Sequence, residues 1–192
     1  VDAPILLGGS TFEGEELILA NVFKELRKSH PNLFLILVPR HHERADSVAR
    51  QLEQAGLVVM RRTKHFSEGK PDVLLVDTTG ELAGWYLCAT VVFVGKSLCA
   101  QGGQNPAEPI AAGVPVIFGP HMQNFSTLVR AFLHKGGAME VKDATGIRNA
   151  VTDLLANPNL RADMVANAAK CLEIHRGATK KTTDLLQSRI LL

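Results

Sequence analysis

Aromatic side chains are scarce in this 192-residue chain, at 5%, with one Trp and one Tyr. Surfaces that grip single-stranded nucleic acid stack bases on aromatic platforms, and this shortage argues against one. An excess of one charge is also missing. The 21 Lys and Arg and 19 Asp and Glu are spread along the chain and leave a net charge of +2. That is no electrostatic footprint for nucleic acid, and no nucleic-acid partner is expected. Cysteines number only three. Cys88, Cys99 and Cys171 lack CxxC or metal-like spacing, which speaks against a disulfide framework and for core packing in a reducing compartment. No apolar run reaches the roughly 18 residues needed to span a bilayer, and no signal-peptide pattern opens the chain.

Several catalytic signatures are absent as well. A dinucleotide fingerprint needs G-x-G-x-x-G after the first strand, and Gly8–Gly14 does not supply it. Gly95-Lys96-Ser97 resembles the end of a phosphate-binding P-loop, but the earlier glycine of that motif falls on Thr90. There is no G-x-S-x-G elbow, and His41-His42-Glu43 is not a zinc helix. No metal and no cofactor are expected. What remains is 46% hydrophobic residues in a length that suits one domain with an ample core. Val1-Asp2-Ala3-Pro4 leads straight into an apolar ILL, as expected of a piece of a longer protein.

The apolar runs alternate with helical patterns. Ile5–Leu7 reads as a strand closed by Gly8-Gly9-Ser10-Thr11, and residues 13–29 as a helix with Leu17, Ile18, Val22, Phe23 and Leu26 at helical spacing. Strands are predicted at 33–38, 57–60, 73–76, 91–94, 114–118 and 138–141. Helices are predicted at 43–55, 81–89, 125–134 and 144–155, with a short one opening at Pro106. Residues 61–71 read as a basic loop. From Leu160 onward the pattern is helical, with a break near Arg176-Gly177. Alternation of this kind predicts an α/β fold, a Rossmann-like doubly wound parallel sheet in a single domain. Ligands of such sheets bind beyond the carboxyl ends of the strands, where the loops at 8–14, 39–42, 77–81, 95–105 and 119–125 converge.

Residues 102–120, GGQNPAEPIAAGVPVIFGP, organise that rim. Gly102 and Gly103 carry no Cβ and allow a close approach to a ligand. Pro106 suits a helix start, whose unpaired N–H groups attract an anion. Asn105, Pro106 and Glu108 therefore read as a ligand cradle, with Glu108 placed to accept ribose hydroxyls; a helix-start acid is the plainer reading. Arg40 either escapes to solvent from a buried strand or pairs with a phosphate. Gly80, Glu81 and Leu82 form either an ordinary helix start or a nest of N–H donors. Ser10, Thr11 and Glu15 are either a capped helix start or face a substrate across a cleft. Lys96 and Ser97 are rim residues without an assigned duty, His41 and His42 a solvated turn, and His121 and Asn124 polar loop residues within reach of a ligand.

GGQNPAEPIAAGVPVIFGPHMQNF resembles the segment GGHNPLEP…GVPV…GPH..NF of 3-deoxy-D-manno-octulosonic acid (Kdo) transferases. STFEGEE near the start, LVPRH at residues 37–41, and DTTGEL followed by VFVGKSL match the same family in the same order. Gln104 and Phe12 stand where the family usually has His, and Ala107 where it has Leu. The smaller Ala107 enlarges the pocket, and Phe12 leaves any role of that histidine unfilled. The resemblance implies the C-terminal, donor-binding half of a GT-B glycosyltransferase over residues 1–192. It further implies that Pro39, Arg40, Gly80, Glu81, Leu82, Asn105, Pro106, Ala107 and Glu108 hold the CMP of CMP-Kdo. The implied reaction transfers Kdo to a lipid A precursor with inversion, at the cytoplasmic face of the bacterial inner membrane. The family's catalytic glutamate and membrane anchor belong to an N-terminal half, so no catalytic residue is assigned to this chain. Other GT-B enzymes, UDP-sugar transferases or 2-epimerases, share the architecture, and a non-catalytic nucleotide-binding half-domain would share it too.

Overall fold

The computed structural model describes residues 3–65 and 69–173. Seven parallel strands form one sheet in the order β3-β4-β2-β1-β5-β6-β7. The strands are β1 (Ile5–Thr11), β2 (Phe34–Pro39), β3 (Val59–Arg61), β4 (Val73–Leu75), β5 (Val91–Val94), β6 (Val116–Phe118) and β7 (Met139–Glu140). Between and after them run α1 (Glu15–Leu26), α2 (Ala45–Gln54), α3 (Leu82–Tyr86), α4 (Ala107–Ala111), α5 (Ser126–His134), α6 (Ala144–Ala156) and α7 (Pro158–Glu173). The predicted α/β class and doubly wound parallel sheet are what forms. β2, β4, β5 and β6 are buried on both faces because helices cover both, which explains their unbroken apolar runs. α1 packs on α2 and α6, while α4 packs on α3 and α7 and α5 on α7. The core runs from Leu6, Phe23 and Leu37 through Phe93 and Phe118 to Phe132 and Leu154.

The strand order reverses between β1 and β5. Chain direction moves outward from β1 to β2, and the connection from β4 returns across the sheet to place β5 on the other side of β1. In sheets of this kind ligands bind at the carboxyl edge beside such a reversal.

The structure departs from the sequence reading in particular places. β1 continues through Gly8 to Thr11 instead of turning after Leu7, pairing Gly8 with Leu37 and Phe93. Its glycines are packing residues: a Cβ on Gly8 would press on Leu19 and Leu37, and one on Gly9 on the Tyr86 ring. α1 starts at Glu15, two residues later than predicted, because Gly14 at φ 89° sets the turn into it. Pattern overestimated α3, which ends at Tyr86. Cys88 and Cys99 are exposed, against the expectation that all three cysteines are core, and Cys171 alone is buried. Cys88 lies just beyond the end of α3 and Cys99 on the loop after β5, both outside the helices and strands. The break expected near Arg176-Gly177 lies outside the described residues.

Candidate functional site

The carboxyl ends of β1 and β5 are tied together around a buried acid. Glu15 is fully buried, at 0% exposure, and its carboxylate accepts four backbone hydrogen bonds. Phe12 N and Lys96 N donate to Oε2 at 2.8 Å each; Ser97 N and Leu98 N donate to Oε1 at 3.0 Å each. Burying a carboxylate is costly unless such donors replace its water. The three consecutive donors require a left-handed residue at their start, and Lys96 takes φ 57°. A non-glycine residue there costs on the order of 1 kcal/mol or more. Ser10, at φ 52°, faces the same constraint on β1. Neighbouring Glu16 is equally sequestered, accepting Thr11 Oγ1 at 3.0 Å and a bidentate contact from Arg44 at 3.0 and 3.2 Å. Thr11 and Glu15 therefore neither cap α1 through side chains nor face a cleft. They weld the loops after β1, β2 and β5 together.

Glycines make that weld possible. Gly95 donates its N–H to Gly9 O at 2.8 Å, and a Cβ there would collide with the Ser10 carbonyl. A Cβ on Gly119 would collide with the Ser97 carbonyl, while Gly119 N donates to Ser97 Oγ at 2.8 Å. Ser97, with no exposure, is thus a clamp between β5 and β6. Gly102 and Gly103 serve the protein itself. Their absent Cβ atoms make room for Asn124 and Met122, and Gly102 N donates to Gln123 Oε1 at 2.8 Å. The close approach read from the glycine pair is to the loop after β6, with His121 N also bonded to Ser97 O at 2.9 Å.

Three predicted segments reach the carboxyl edge from three strands. Pro39 ends β2, buried and paired with Thr11, and Arg40 N donates to Thr11 O at 3.0 Å while its side chain is exposed. Gly80, Glu81 and Leu82 follow β4, with Gly80 at φ 83° and the first bond of α3 running from Gly84 N to Glu81 O at 3.0 Å. The N–H groups of that turn precede the helical ladder. Glu81 itself pairs with Arg62 at 3.1 Å, so its carboxylate already has a partner. Asp77 holds the base of this loop, accepting Thr63 N, Thr63 Oγ1 and Arg61 Nε at 3.0, 2.6 and 2.9 Å. Burial pushes the Asp77 carboxyl up, but the Thr63 and Arg61 hydrogen bonds outweigh it and hold it below the usual aspartate range. Thr78 Oγ1, one residue on, is buried without a partner among the described residues. An orphaned hydroxyl beside an N–H turn is the kind of group a ligand would satisfy.

The third segment follows β5. Asn105 Oδ1 accepts Ala107 N at 3.0 Å and its Nδ2 donates to Glu108 Oε1 at 3.0 Å, which fixes the start of α4. Glu108 is exposed, and Pro106 precedes α4 at φ −82°. α3 and α4 have five residues each, so their dipoles are small and their unpaired N–H groups carry what anion affinity they have. Tyr86 lies against Gly9 beneath this segment; burial, and then the nearby Glu108 charge, push its phenol well up. The order β4-β2-β1-β5 puts Arg40 and Gly80–Leu82 on one side of β1 and Asn105–Glu108 on the other. A concavity of about 380 Å³ lined by Pro4, Arg27, Leu33 and Phe34 lies at the opposite, amino edge of the sheet, away from these groups. Among the described residues no three His, Cys, Asp or Glu side chains gather to hold a metal ion, and no helix is long and apolar enough to cross a membrane.

Sequence reasoning missed the Glu15 nest and the Asp77 clamp. Their partners come from segments remote in the chain, and only the unusual density of acids beside Gly14 could have pointed to the first.

No protein-family model matches the chain. The 3-deoxy-D-manno-octulosonic acid transferase of Bordetella pertussis is 39% identical over 189 residues, covering 96% of this chain and 44% of that protein. The chain thus spans less than half the length of the curated relatives it matches. The crystal structure of the C-terminal CMP-Kdo binding domain of WaaA from Acinetobacter baumannii superposes with a TM-score of 0.84 at 33% identity, covering 89% of this chain and 90% of that one. Anabaena Alr3699/HepE in complex with UDP and glucose superposes at 0.67 with 14% identity, which speaks for the fold alone. The chain belongs to the 3-deoxy-D-manno-octulosonic acid transferase family and corresponds to its C-terminal domain.

Proposed function

We propose that this chain is the donor-binding half of a Kdo transferase and holds the CMP part of CMP-Kdo at the carboxyl edge of its sheet. The observation that carries this reading is the likeness, over nine-tenths of both chains, to a C-terminal domain that binds CMP-Kdo. In it, Arg40 and the N–H groups of Gly80–Leu82 meet the phosphate and base from one side of β1. Asn105–Glu108 meets the ribose from the other, with Glu108 accepting its hydroxyls. Pro39 sets the exit of β2 so that Arg40 is presented outward, and Ala107 leaves space beside the sugar.

CMP departs as the leaving group when Kdo is transferred, so its phosphate gains negative charge in the transition state. Arg40 and the preorganised N–H donors stabilise that charge without reorganising. The acceptor hydroxyl, on a lipid A precursor, needs a base on the opposite face of the sugar for inversion. That base, the acceptor site and the membrane contact at the cytoplasmic face of the inner membrane belong to the remaining length of the relatives. The 192-residue chain alone should bind nucleotide and transfer nothing.

Calorimetric titration of CMP into the Arg40→Ala and Glu108→Ala forms tests the assignment. Each change should weaken CMP about tenfold or more, the loss of one charge-assisted hydrogen bond. Unchanged affinity in both would contradict this placement of the nucleotide and favour a non-catalytic half-domain.

A further inference from the structure

We infer that Lys96 recognises the carboxylate of the acid sugar carried by the donor, and so selects the loaded nucleotide over free CMP. The inference rests on the donor reading above. Its starting point is a backbone conflict: Lys96 sits at φ 57°, opening the row of N–H donors that grips Glu15. Glycine would fill that conformation without strain, so the lysine side chain is present against the backbone's preference. Strain retained at this edge points toward use of the side chain.

The side chain is also placed. Its ammonium lies over the Phe12 ring at 5.1 Å from the centroid, and the same ring meets His41 edge-on at 5.5 Å. At that distance the ring attracts the ammonium and favours this placement of the side chain. Among the described residues no carboxylate pairs with it, whereas Arg44, Arg61 and Arg62 are each paired. Position completes the case. Phe12 and His41 connect Lys96 to Arg40, next in sequence to His41, and the Lys96 carbonyl accepts Gly103 N at 2.9 Å, just before Asn105. Lys96 therefore stands between the two sides of the proposed CMP cradle, above the switch point. With the phosphate assigned to Arg40 and the N–H turn, the group left for a second cation is the anion on the sugar.

The 192-residue chain and its Lys96→Met, Lys96→Arg and Lys96→Gly forms, titrated with CMP and with CMP-Kdo, separate the two anions. Lys96→Met and Lys96→Gly should weaken CMP-Kdo about tenfold and leave CMP unchanged, while Lys96→Arg keeps most of the CMP-Kdo affinity. Lys96→Gly should melt no lower than the parent, since its φ suits glycine, which separates lost recognition from lost folding. Equal weakening of both ligands would assign Lys96 to the phosphate and overturn the inference, as would no weakening of either. Failure of the parent chain to bind either ligand would overturn the donor reading itself, and this inference with it.

Discussion

Glu15 is the residue on which the carboxyl edge depends. Its two oxygens each take two backbone N–H groups, and glutamine can offer only one oxygen in the same volume. Glu15→Gln leaves two buried donors facing an NH₂, which should cost about 3 kcal/mol or more. Thermal melting should fall by roughly 6–12 °C, the shift that such a loss produces in a domain of this size. A melting point within a degree or two of the parent would contradict the nest. The sequence could not assign this role. An acid in the first turn of α1 looks alike whether it complements the helix start, faces a cleft or binds backbone, and its Lys96, Ser97 and Leu98 donors are more than 80 positions away. Lys96 and Ser97 were equally opaque, because their work is visible only once β1 and β5 are neighbours.

At the level of elements, buried strands announced themselves as apolar runs, and α1, α2, α5 and α6 as helical spacing, because burial on a fixed face imposes a period. What spacing could not give was where elements stop. β1 runs on because Gly8 and Gly9 fit against Leu19, Leu37 and Tyr86, contacts that no local pattern contains. The turn before α3 shows the same dependence. Asp77 ties it to β3, the strand beside β4, through Thr63 and Arg61, and Arg61 also pairs with Asp46 on α2. The Asp77 carboxyl titrates lower in the folded chain than in the unfolded one, so its contribution is complete above the unfolded value. It is lost as pH falls through the lower native value. Asp77→Asn should therefore melt below the parent at neutral pH, with the gap closing as pH drops below about 4, the ordinary aspartate value. A constant gap down to strongly acidic pH would show that the clamp does not depend on the charge.

Across the whole molecule, the doubly wound sheet was legible because apolar strands alternate with helices at every step but that from β3 to β4, and connections of this sort run one way round. The carboxyl edge followed from that topology, and with it the meeting of Arg40, Gly80–Leu82 and Asn105–Glu108 at one rim. Composition and spacing alone did not name the ligand. That came from the ordered motifs and is carried by the likeness to a CMP-Kdo binding domain, while rivals that use UDP share the fold at low identity. Cytidine and uridine differ at one edge of the base, and in the proposed reading the groups around Gly80–Leu82 and the orphaned Thr78 hydroxyl would choose between them. Donor identity is therefore decided by titrating CMP and UDP, side by side in a calorimeter, into the 192-residue chain. CMP should bind at least about tenfold more tightly, despite the second phosphate that UDP offers to Arg40 and the N–H donors. Equal binding, or a preference for UDP, would contradict the assignment.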